Sequence, residues 1–301
     1  MSSPIQTRQL SKAFRHTDAV RGLDLDVPAG SIFGLIGPNG AGKTTTIKML
    51  MNILRPSSGT AEVLGVDARR LSPRELARIG YVSENQEMPE EMTVGYFLRY
   101  WEAFYPKWDR ALADEMARQF ELPLDRRLRH LSRGMRMKAA LASSLAYRPE
   151  LVILDEPFTG LDALVRQELV QGLLDRAEET TILISSHDLA EIESFASHIG
   201  YLEAGRLRFT EEAGALAARF RQVELMFDAA PALPPNWPAE WLQPQTSAAV
   251  VRFIDSSFDA ERTPAEVRAR FPEARRIDFT PMALKDIFIA LAAAGRRAAA
   301  A

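Results

Sequence analysis

The stretch GPNGAGKT, residues 37–44, decides the expected fold, because it matches the phosphate-loop pattern G-x-x-x-x-G-K-[ST]. An apolar run typical of a buried strand, SIFGLIG at residues 31–37, leads directly into it. Beyond the loop, apolar residues recur at helical spacing, namely Ile47, Leu50, Met51 and Leu54. A strand, a glycine-rich loop and a helix in this order favour a ligand-binding motif over a simple glycine-rich turn. The stretch therefore predicts a phosphate-binding site in an α/β domain.

The loop residues have separate expected tasks. Glycines let backbone N–H groups curl around phosphates at the start of a helix. Lys43 is expected to neutralise the β- and γ-phosphate oxygens, and the hydroxyl of Thr44 to ligate Mg²⁺. The residues predicted to bind nucleotide here are Gly37, Pro38, Asn39, Gly40, Ala41, Gly42, Lys43, Thr44 and Thr45.

Two later apolar runs also end in polar residues: PELVILDEP at 149–157 and TTILISSHD at 180–188. Open α/β sheets bind ligands at the carboxyl ends of their strands, so these polar residues are expected near the loop. Asp155 is a candidate ligand of Mg²⁺, and Glu156 a candidate for activating water. His187 is a candidate to hydrogen-bond the γ-phosphate and that water. Alone, paired acids can merely cap a strand and a single histidine is usually structural, but the phosphate loop favours the functional interpretation.

The amino-acid composition excludes some classes of protein and of binding partner. The chain has 301 residues, 47% of them hydrophobic, which predicts a globular protein with one large or two modest domains. Its 37 basic and 40 acidic residues leave a net charge of −3, so bulk charge does not favour nucleic-acid binding or membrane adsorption. The chain contains no cysteine, which excludes disulfides and thiolate metal sites. No segment has the length and apolarity expected of a signal peptide or a membrane span.

Strand-like and helix-like segments alternate up to about residue 210, with a helix-rich insert at about 88–145. The insert contains the aromatic residues Phe97, Tyr100, Trp101 and Phe104, whose spacing predicts that most of them share one helical face. Such stripes are usually buried, so we expect subdomain core, with a groove for another protein as the alternative. A proline-rich stretch, residues 231–244, is expected to be a loop.

The C-terminal segment is predicted to be a small α+β unit. QVELMF (222–227) and AAVVRFI (248–254) are typical of strands. Thr263 and Thr280 each precede a proline, the pattern of a helix N-cap followed by proline at the first helical position. The expected domains are therefore residues 1–214 and 215–301, the second a structural or regulatory appendage without a recognisable catalytic cluster.

Six segments occur in a fixed order: GPNGAGKTT, YVSEN, LSRGM, LVILDEP, GLDA and SSHD. Through them the chain resembles the ATP-binding subunits of ABC transporters over about residues 4–210. The resemblance implies an α/β fold, with a P-loop NTPase core, a mainly parallel sheet and a helical subdomain that carries the signature sequence. It also implies ATP and Mg²⁺ as cofactors.

LSRGM, residues 131–135, aligns with the signature of this family, usually Leu-Ser-Gly-Gly-Gln. The resemblance implies that Ser132 and Gly134 clasp the γ-phosphate of ATP bound to a second copy of the chain, whereas Arg133 and Met135 depart from the pattern. Physical reasoning agrees, since one phosphate loop leaves the γ-phosphate open to water and a helix N-terminus from another copy would close it.

Other positions are carried over from the family individually. Glu84 stands where the family usually has glutamine and is expected to contact Mg²⁺ or its water, with Gln86 as the competing candidate. Phe14 is the best match for the aromatic residue that stacks on adenine, with His16 as the alternative. Asp162, in GLDA, is counted among the nucleotide-binding residues.

The resemblance implies a homodimer beneath a separate transmembrane permease, of the exporter branch found in drug, antibiotic-resistance and lantibiotic-immunity systems. The subunit would then be cytoplasmic, on the inner face of the membrane. The alternative is a soluble ABC-type ATPase acting on nucleic acid or ribosomes. The chain has one phosphate loop, and too few residues separate Lys43 from Asp155 for the long coiled coil of DNA-repair relatives. We therefore expect a transporter subunit and no nucleic-acid partner.

Overall fold

The chain folds as two units, Met1–Thr210 and Glu211–Ala301. The computed structural model describes residues 3–231 and 236–300. Within these residues, no helix is both long enough and apolar enough to cross a membrane.

The first unit alternates strands with helices. Its strands are β1 (Ile5–Phe14), β2 (Thr17–Leu23), β3 (Asp26–Val27), β4 (Ile32–Ile36), β5 (Ser58–Val63), β6 (Val66–Asp67), β7 (Ile79–Ser83), β8 (Leu151–Asp155), β9 (Thr181–Ser186), β10 (His198–Glu203) and β11 (Arg206–Glu212). Its helices are α1 (Lys43–Leu50), α2 (Pro73–Leu76), α3 (Val94–Glu102), α4 (Arg110–Gln119), α5 (Arg133–Leu145) and α6 (Ala163–Leu174). Short 3-10 turns lie at Ala68–Arg70, Leu128–His130 and Leu189–Glu191.

The main sheet has the strand order β11-β10-β4-β9-β8-β7. Its neighbours from β10 to β7 pair in parallel, which confirms the predicted mainly parallel sheet. Strands β4, β8 and β9 are buried along their whole length, as expected where both faces of a parallel sheet are covered. This burial explains why all three predicted apolar runs lack alternation. Their carboxyl ends lie side by side, because parallel neighbours end at the same edge of the sheet.

A second, antiparallel sheet has the order β2-β1-β5-β6, with β3 paired to β1. Its apolar residues share a core with the main sheet and with α1, including Ile5 of β1, Leu35 of β4 and Ile47 of α1. That core fixes the start of α1 against the end of β4, where the phosphate-loop sequence lies.

Helices α3, α4 and α5 form the helical segment that the sequence predicts, and their N-caps are Thr93, Asp109 and Ser132. Its aromatic residues divide instead of sharing one buried face. Phe97 is 1% exposed, but Tyr100 is 37% and Phe104 57% exposed. The expectation of subdomain core is therefore wrong for Tyr100 and Phe104. Phe104 lies beyond the end of α3, where helical spacing no longer determines its direction.

The second unit has the elements α7 (Ala213–Arg219), β12 (Arg221–Met226), β13 (Trp241–Ser247), β14 (Val250–Asp255), α8 (Arg262–Arg270), β15 (Arg276–Pro281) and α9 (Leu284–Ala300). Its antiparallel sheet has the order β13-β14-β12-β15 and confirms the predicted α+β character. Its own core includes Val223, Trp241, Phe253, Val267 and Phe271. The unit therefore contains an apolar core.

Part of the proline-rich stretch is not a loop. Residues 241–244 begin β13, an edge strand whose register with β14 shifts between Leu242 and Gln245. Pro244 lies in this irregular segment, and edge strands and bulges are where proline is tolerated because no ladder N–H is required. Residues 232–235 of the same stretch lie outside the described residues.

Both threonine–proline helix starts are wrong. Helix α8 begins at Arg262, one residue before Thr263, and the buried Thr263 hydroxyl donates to Asp255 at 3.0 Å instead of capping. Thr280 lies in β15, and α9 begins only at Leu284. Contacts with residues distant in sequence determine where these helices begin, so the local threonine–proline pattern does not predict their start.

Candidate active site

The phosphate-loop sequence connects β4 to α1, which begins at Lys43 with Gly42 as its N-cap. Gly42 has φ +108°, a conformation that side chains disfavour. A Cβ there would also lie 2.4 Å from the carbonyl oxygen of Ala19, and one at Gly37 would lie 2.1 Å from that of Leu202. Glycine is therefore required at both positions for the loop to close tightly over its neighbours.

Lys43 is 5% exposed and its ammonium group lies beneath the loop. Its Nζ donates to the carbonyl oxygens of Gly37 and Pro38, at 2.6 and 3.3 Å. The same atom lies 3.0 Å from Oε1 of Glu156, a buried ion pair. The cation is thus held between the loop and the end of β8.

Asp155 ends β8, and its Oδ1 accepts hydrogen bonds from Thr44 Oγ1 at 3.1 Å and Ser185 Oγ at 2.6 Å. Burial raises the pKa of Asp155 from its usual value, while the bonds from Ser185 and Thr44 act in the opposite direction. Sequence reasoning assigned no role to Ser185, although it lies two residues before His187 on a strand ending at the site. The structure thus places two hydroxyls on the buried Asp155 carboxylate.

Glu156 has φ +53°, a left-handed conformation uncommon for residues other than glycine. Its N–H donates to Ser185 Oγ at 3.0 Å, and its Oε2 accepts from Thr159 Oγ1 at 3.1 Å. His187 Nδ1 lies 2.7 Å from the same Oε2. These contacts hold a strained backbone in place, as is common at functional sites.

Glu156 and His187 each shift the pKa of the other. Burial acts to raise the pKa of Glu156, but the hydrogen bonds with His187 and Lys43 outweigh it, so that the pKa is lowered. The hydrogen bond with Glu156 raises the pKa of His187, against the effect of burial. The site therefore favours an ionised carboxylate beside a histidine that protonates more readily than usual.

Lys43, Glu156 and His187 line a cavity of about 450 Å³, whereas Asp155 does not. It is lined by Ala19, Asn39, Gly40, Ala41, Gly42, Lys43, Thr44, Thr45, Glu84, Glu156, Thr159 and His187. Gly37 and Pro38 lie below it, where their carbonyls accept from Lys43. The structure thus brings the loop together with the ends of β8 and β9, as the sequence predicts.

Glu84 follows β7, and its N–H donates to the carbonyl oxygen of Asp155 at 2.9 Å. Its carboxylate forms an ion pair with Arg133, with Oε1 2.7 Å from Nη2. Gln86, the competing candidate, lines a separate cleft and not this cavity. No sequence argument predicted the contact between Glu84 and Arg133.

Besides Gly37 and Pro38, four predicted nucleotide-binding residues do not line the cavity. Ser132 caps α5 by accepting from the N–H of Met135 at 3.2 Å, and Asp162 caps α6 by accepting from that of Val165 at 3.0 Å. Gly134 is buried within α5, and Phe14 is 49% exposed at the end of β1. Within a single chain, Ser132 and Gly134 of the signature sequence therefore do not line the cavity at the phosphate loop.

Oxygen atoms suitable for a hard cation meet at the end of β8, where the Thr44 hydroxyl touches the Asp155 carboxylate. Among the residues that the structure describes, no group of three or more histidine or acidic side chains is arranged to hold a metal. Mg²⁺ is commonly bound by one or two protein ligands together with substrate phosphates. The donor set fits an ion bound together with a nucleotide.

The chain is similar in sequence to a known family and to known nucleotide-binding proteins. The profile of the ABC transporter family matches residues 20–159. The ABC transporter ATP-binding protein YtrB of Bacillus subtilis is 34% identical over 226 residues, 74% of this chain and 77% of YtrB. The daunorubicin/doxorubicin resistance ATP-binding protein DrrA of Streptomyces peucetius is 32% identical over 310 residues, 95% of this chain and 92% of DrrA.

Among solved structures, an ATP-binding subunit of an ABC transporter is 26% identical, with a TM-score of 0.65. The match covers 72% of this chain and 92% of that subunit. The likeness to DrrA, by contrast, extends through most of both units.

Proposed function

The chain belongs to the family of ABC transporter ATP-binding proteins, and we propose that two copies of it bind ATP between them and power a separate transmembrane permease. It is an ATP-hydrolysing subunit of the α/β P-loop type. The observation that carries the proposal is the meeting of Lys43, Asp155 and Glu156 at the carboxyl ends of β4 and β8. In this proposal residues 1–214 are the ATP-binding domain, and residues 215–301 an accessory or regulatory domain.

In the proposed reaction, loop N–H groups and Lys43 bind the β- and γ-phosphates. Lys43 then has a phosphate as well as Glu156 to neutralise, which weakens its hold on that carboxylate. Glu156 accepts a proton from a water whose oxygen attacks the γ-phosphorus, and the bond to the bridging oxygen of ADP breaks. His187, bonded to Glu156 through Nδ1, orients the water and the γ-phosphate.

Mg²⁺ would be held by Thr44 and Asp155, with Glu84 in contact directly or through water. When bound, it supplies positive charge that offsets the phosphate charge during transfer. The shared hydrogen bond between Thr44 and Asp155 and the position of Glu84 in the cavity lining support this assignment.

The second copy completes the site in this proposal. Its Ser132 and Gly134, at the N-terminus of α5, contact the γ-phosphate that the first copy's loop holds. Asp162 contacts nucleotide from the turn before α6. Phe14 stacks on adenine, with His16 as the alternative. The absence of Ser132 and Gly134 from the cavity lining of their own chain supports a shared site.

We further propose that the permease docks on the helical segment, which holds the subunit on the inner face of the membrane. Two features support this: the exposed Tyr100 and Phe104, and a cleft of about 700 Å³ whose lining includes Glu84, Gln86 and Met88. The resistance named for DrrA supports an exporter. Action on nucleic acid or ribosomes is not favoured.

The proposal is tested by phosphate release from ATP by the purified full-length chain. Turnover should require Mg²⁺, disappear in Lys43→Ala, and rise more steeply than linearly with protein concentration until dimers predominate. Turnover that needs no divalent cation, or a rate per chain that is the same at all concentrations, would contradict it.

A further inference from the structure

Arg133 stands where the family signature usually has glycine, and its contacts connect two loops of the site. From them, and resting on the proposed function, we infer that Arg133 is a positioning residue. It ties the loop that carries Glu84 to the helix N-terminus that presents Ser132 and Gly134. The link lies within one subunit and joins its own nucleotide cavity to the surface offered to the partner's nucleotide.

The first contact is the ion pair with Glu84, at 2.7 Å. Glu84 is fastened by its N–H to the carbonyl oxygen of Asp155, the last residue of β8. Its side chain lines the nucleotide cavity as well as the cleft that Arg133 lines. Glu84 therefore lies between the nucleotide cavity and the cleft, and Arg133 pairs with it from the side of the cleft.

The second contact is with the turn that follows Glu156. A Cβ built on Gly160 would lie 3.1 Å from Nη1 of Arg133, so the guanidinium packs directly over this glycine. Gly160 has φ +70° and precedes Asp162, the N-cap of α6. Arg133 thus touches the loops that leave both β7 and β8. Since it is the first residue of α5, a movement of either loop reaches the N-terminus of that helix.

Charge explains why the two family departures occur together. A glutamate in place of glutamine adds a negative charge to the lining of the cavity that Glu156 also lines, and the Arg133 cation balances it. The pair is partly exposed, 48% for Arg133 and 31% for Glu84, and such pairs contribute little to folding stability. Its effect should therefore appear in the geometry of the site rather than in the melting temperature.

Arg136 provides a matched control. It lies one turn further along α5, lines the same cleft and carries the same charge. Its acidic neighbour is Glu90, at 4.0 Å, and not a residue of the nucleotide cavity. Removing its charge changes the cleft without breaking the link to Glu84.

The experiment is a double-mutant cycle in full-length protein carrying Glu156→Gln, which lets ATP-bound dimers accumulate. Light scattering measures the ATP concentration that gives half-maximal dimer, at several Mg²⁺ concentrations. Arg133→Met and Glu84→Gln should each raise this concentration by about threefold or more, and the double variant no further than the worse single one. Arg133→Lys should recover part of the loss. Arg136→Met should leave it unchanged, and all melting temperatures should stay close together.

Independent effects, with the double variant showing the product of the two single changes, would overturn the inference. So would an Arg133→Met protein that dimerises like its parent. If the parent protein itself forms no dimer with ATP, the proposed function fails instead, and the two failures are thereby distinguished.

Discussion

At the scale of single residues, the Glu156 carboxylate is held by contacts with three other side chains. Lys43, Thr159 and His187 all bond to its side chain, although its backbone lies in a disfavoured left-handed conformation. Such strain costs of the order of 1–3 kcal/mol and persists only where the surroundings impose it. We interpret the arrangement as one that keeps a single ionised carboxylate aimed into the cavity.

Glu156→Gln keeps the shape of this side chain but removes the group that accepts the proton. ATP binding should remain, and steady-state hydrolysis should fall by about 100-fold or more. Binding of a fluorescent ATP analogue and release of phosphate measure the two effects separately. Hydrolysis within a few-fold of the wild-type rate would remove Glu156 from this role.

His187→Gln tests the coupling with Glu156 through pH. The pKa of His187 is raised above 6.5, so its stabilising charge is fully present below that pH and lost as pH rises through the raised value. The pKa of Glu156 is lowered from 4.5, so its share is present above that pH and lost as pH falls through the lowered value.

The free energy of unfolding lost in His187→Gln should therefore be larger at about pH 5.5 than at about pH 8.5. Urea denaturation at both pH values measures it, and the solvent exposure of His187 predicts a modest difference. A loss that is equal at both values would show that the imidazolium does not contribute.

At the scale of elements, helices α5 and α6 approach each other closely at Gly134. A Cβ there would lie 2.9 Å from Cγ1 of Val165, a branched side chain with little freedom to move. Glycine at this signature position is thus required by packing within the subunit, in addition to its proposed contact with the partner's nucleotide.

Gly134→Ala should destabilise the chain by about 1 kcal/mol, because overpacking costs more than the improved helix propensity of alanine returns. The double variant Gly134→Ala/Val165→Ala removes the clash and should lose less stability than the two single changes added together. Urea denaturation of the four proteins tests this, and simple additivity would contradict the packing explanation.

The exposed aromatic end of α3 gives the second prediction at this scale. Tyr100→Glu and Phe104→Glu should weaken stimulation of hydrolysis by the permease while leaving the basal rate of the isolated subunit unchanged. Leu174→Glu is the control, since Leu174 is a comparably exposed apolar residue, 40%, at the end of α6. Loss of basal hydrolysis, or equal loss of coupling in the control, would argue against docking here.

Elements with strong local signals were predictable, and those determined by distant partners were not. The runs that form β4, β8 and β9 are continuous and apolar because these strands are buried along their whole length, so their polar ends could be assigned to one edge. Thr263 does not cap α8 because its hydroxyl donates a hydrogen bond to Asp255 of β14. The pair of Glu84 and Arg133 could not be predicted for a similar reason, since 49 residues separate the two along the sequence.

At the scale of the whole molecule, the decisive question is whether one chain contains a complete site. Lys43 lines the cavity, whereas Ser132 does not line it and caps α5 by accepting a hydrogen bond from the N–H of Met135. If the site is shared, each of the two nucleotide sites in a dimer uses the phosphate loop of one copy and the signature sequence of the other.

Mixing two inactive variants tests this sharing, because Lys43→Ala damages only the loop and Ser132→Arg only the signature. A mixed dimer then has one nucleotide site built from two intact halves and one site that carries both lesions. Binding of an ATP analogue should recover in the mixture relative to either variant alone, and recovery should increase with protein concentration as mixed dimers form. If each chain worked alone, mixing could help neither variant. Binding that shows no recovery at any concentration would mean that Ser132 serves only as the cap of its own helix.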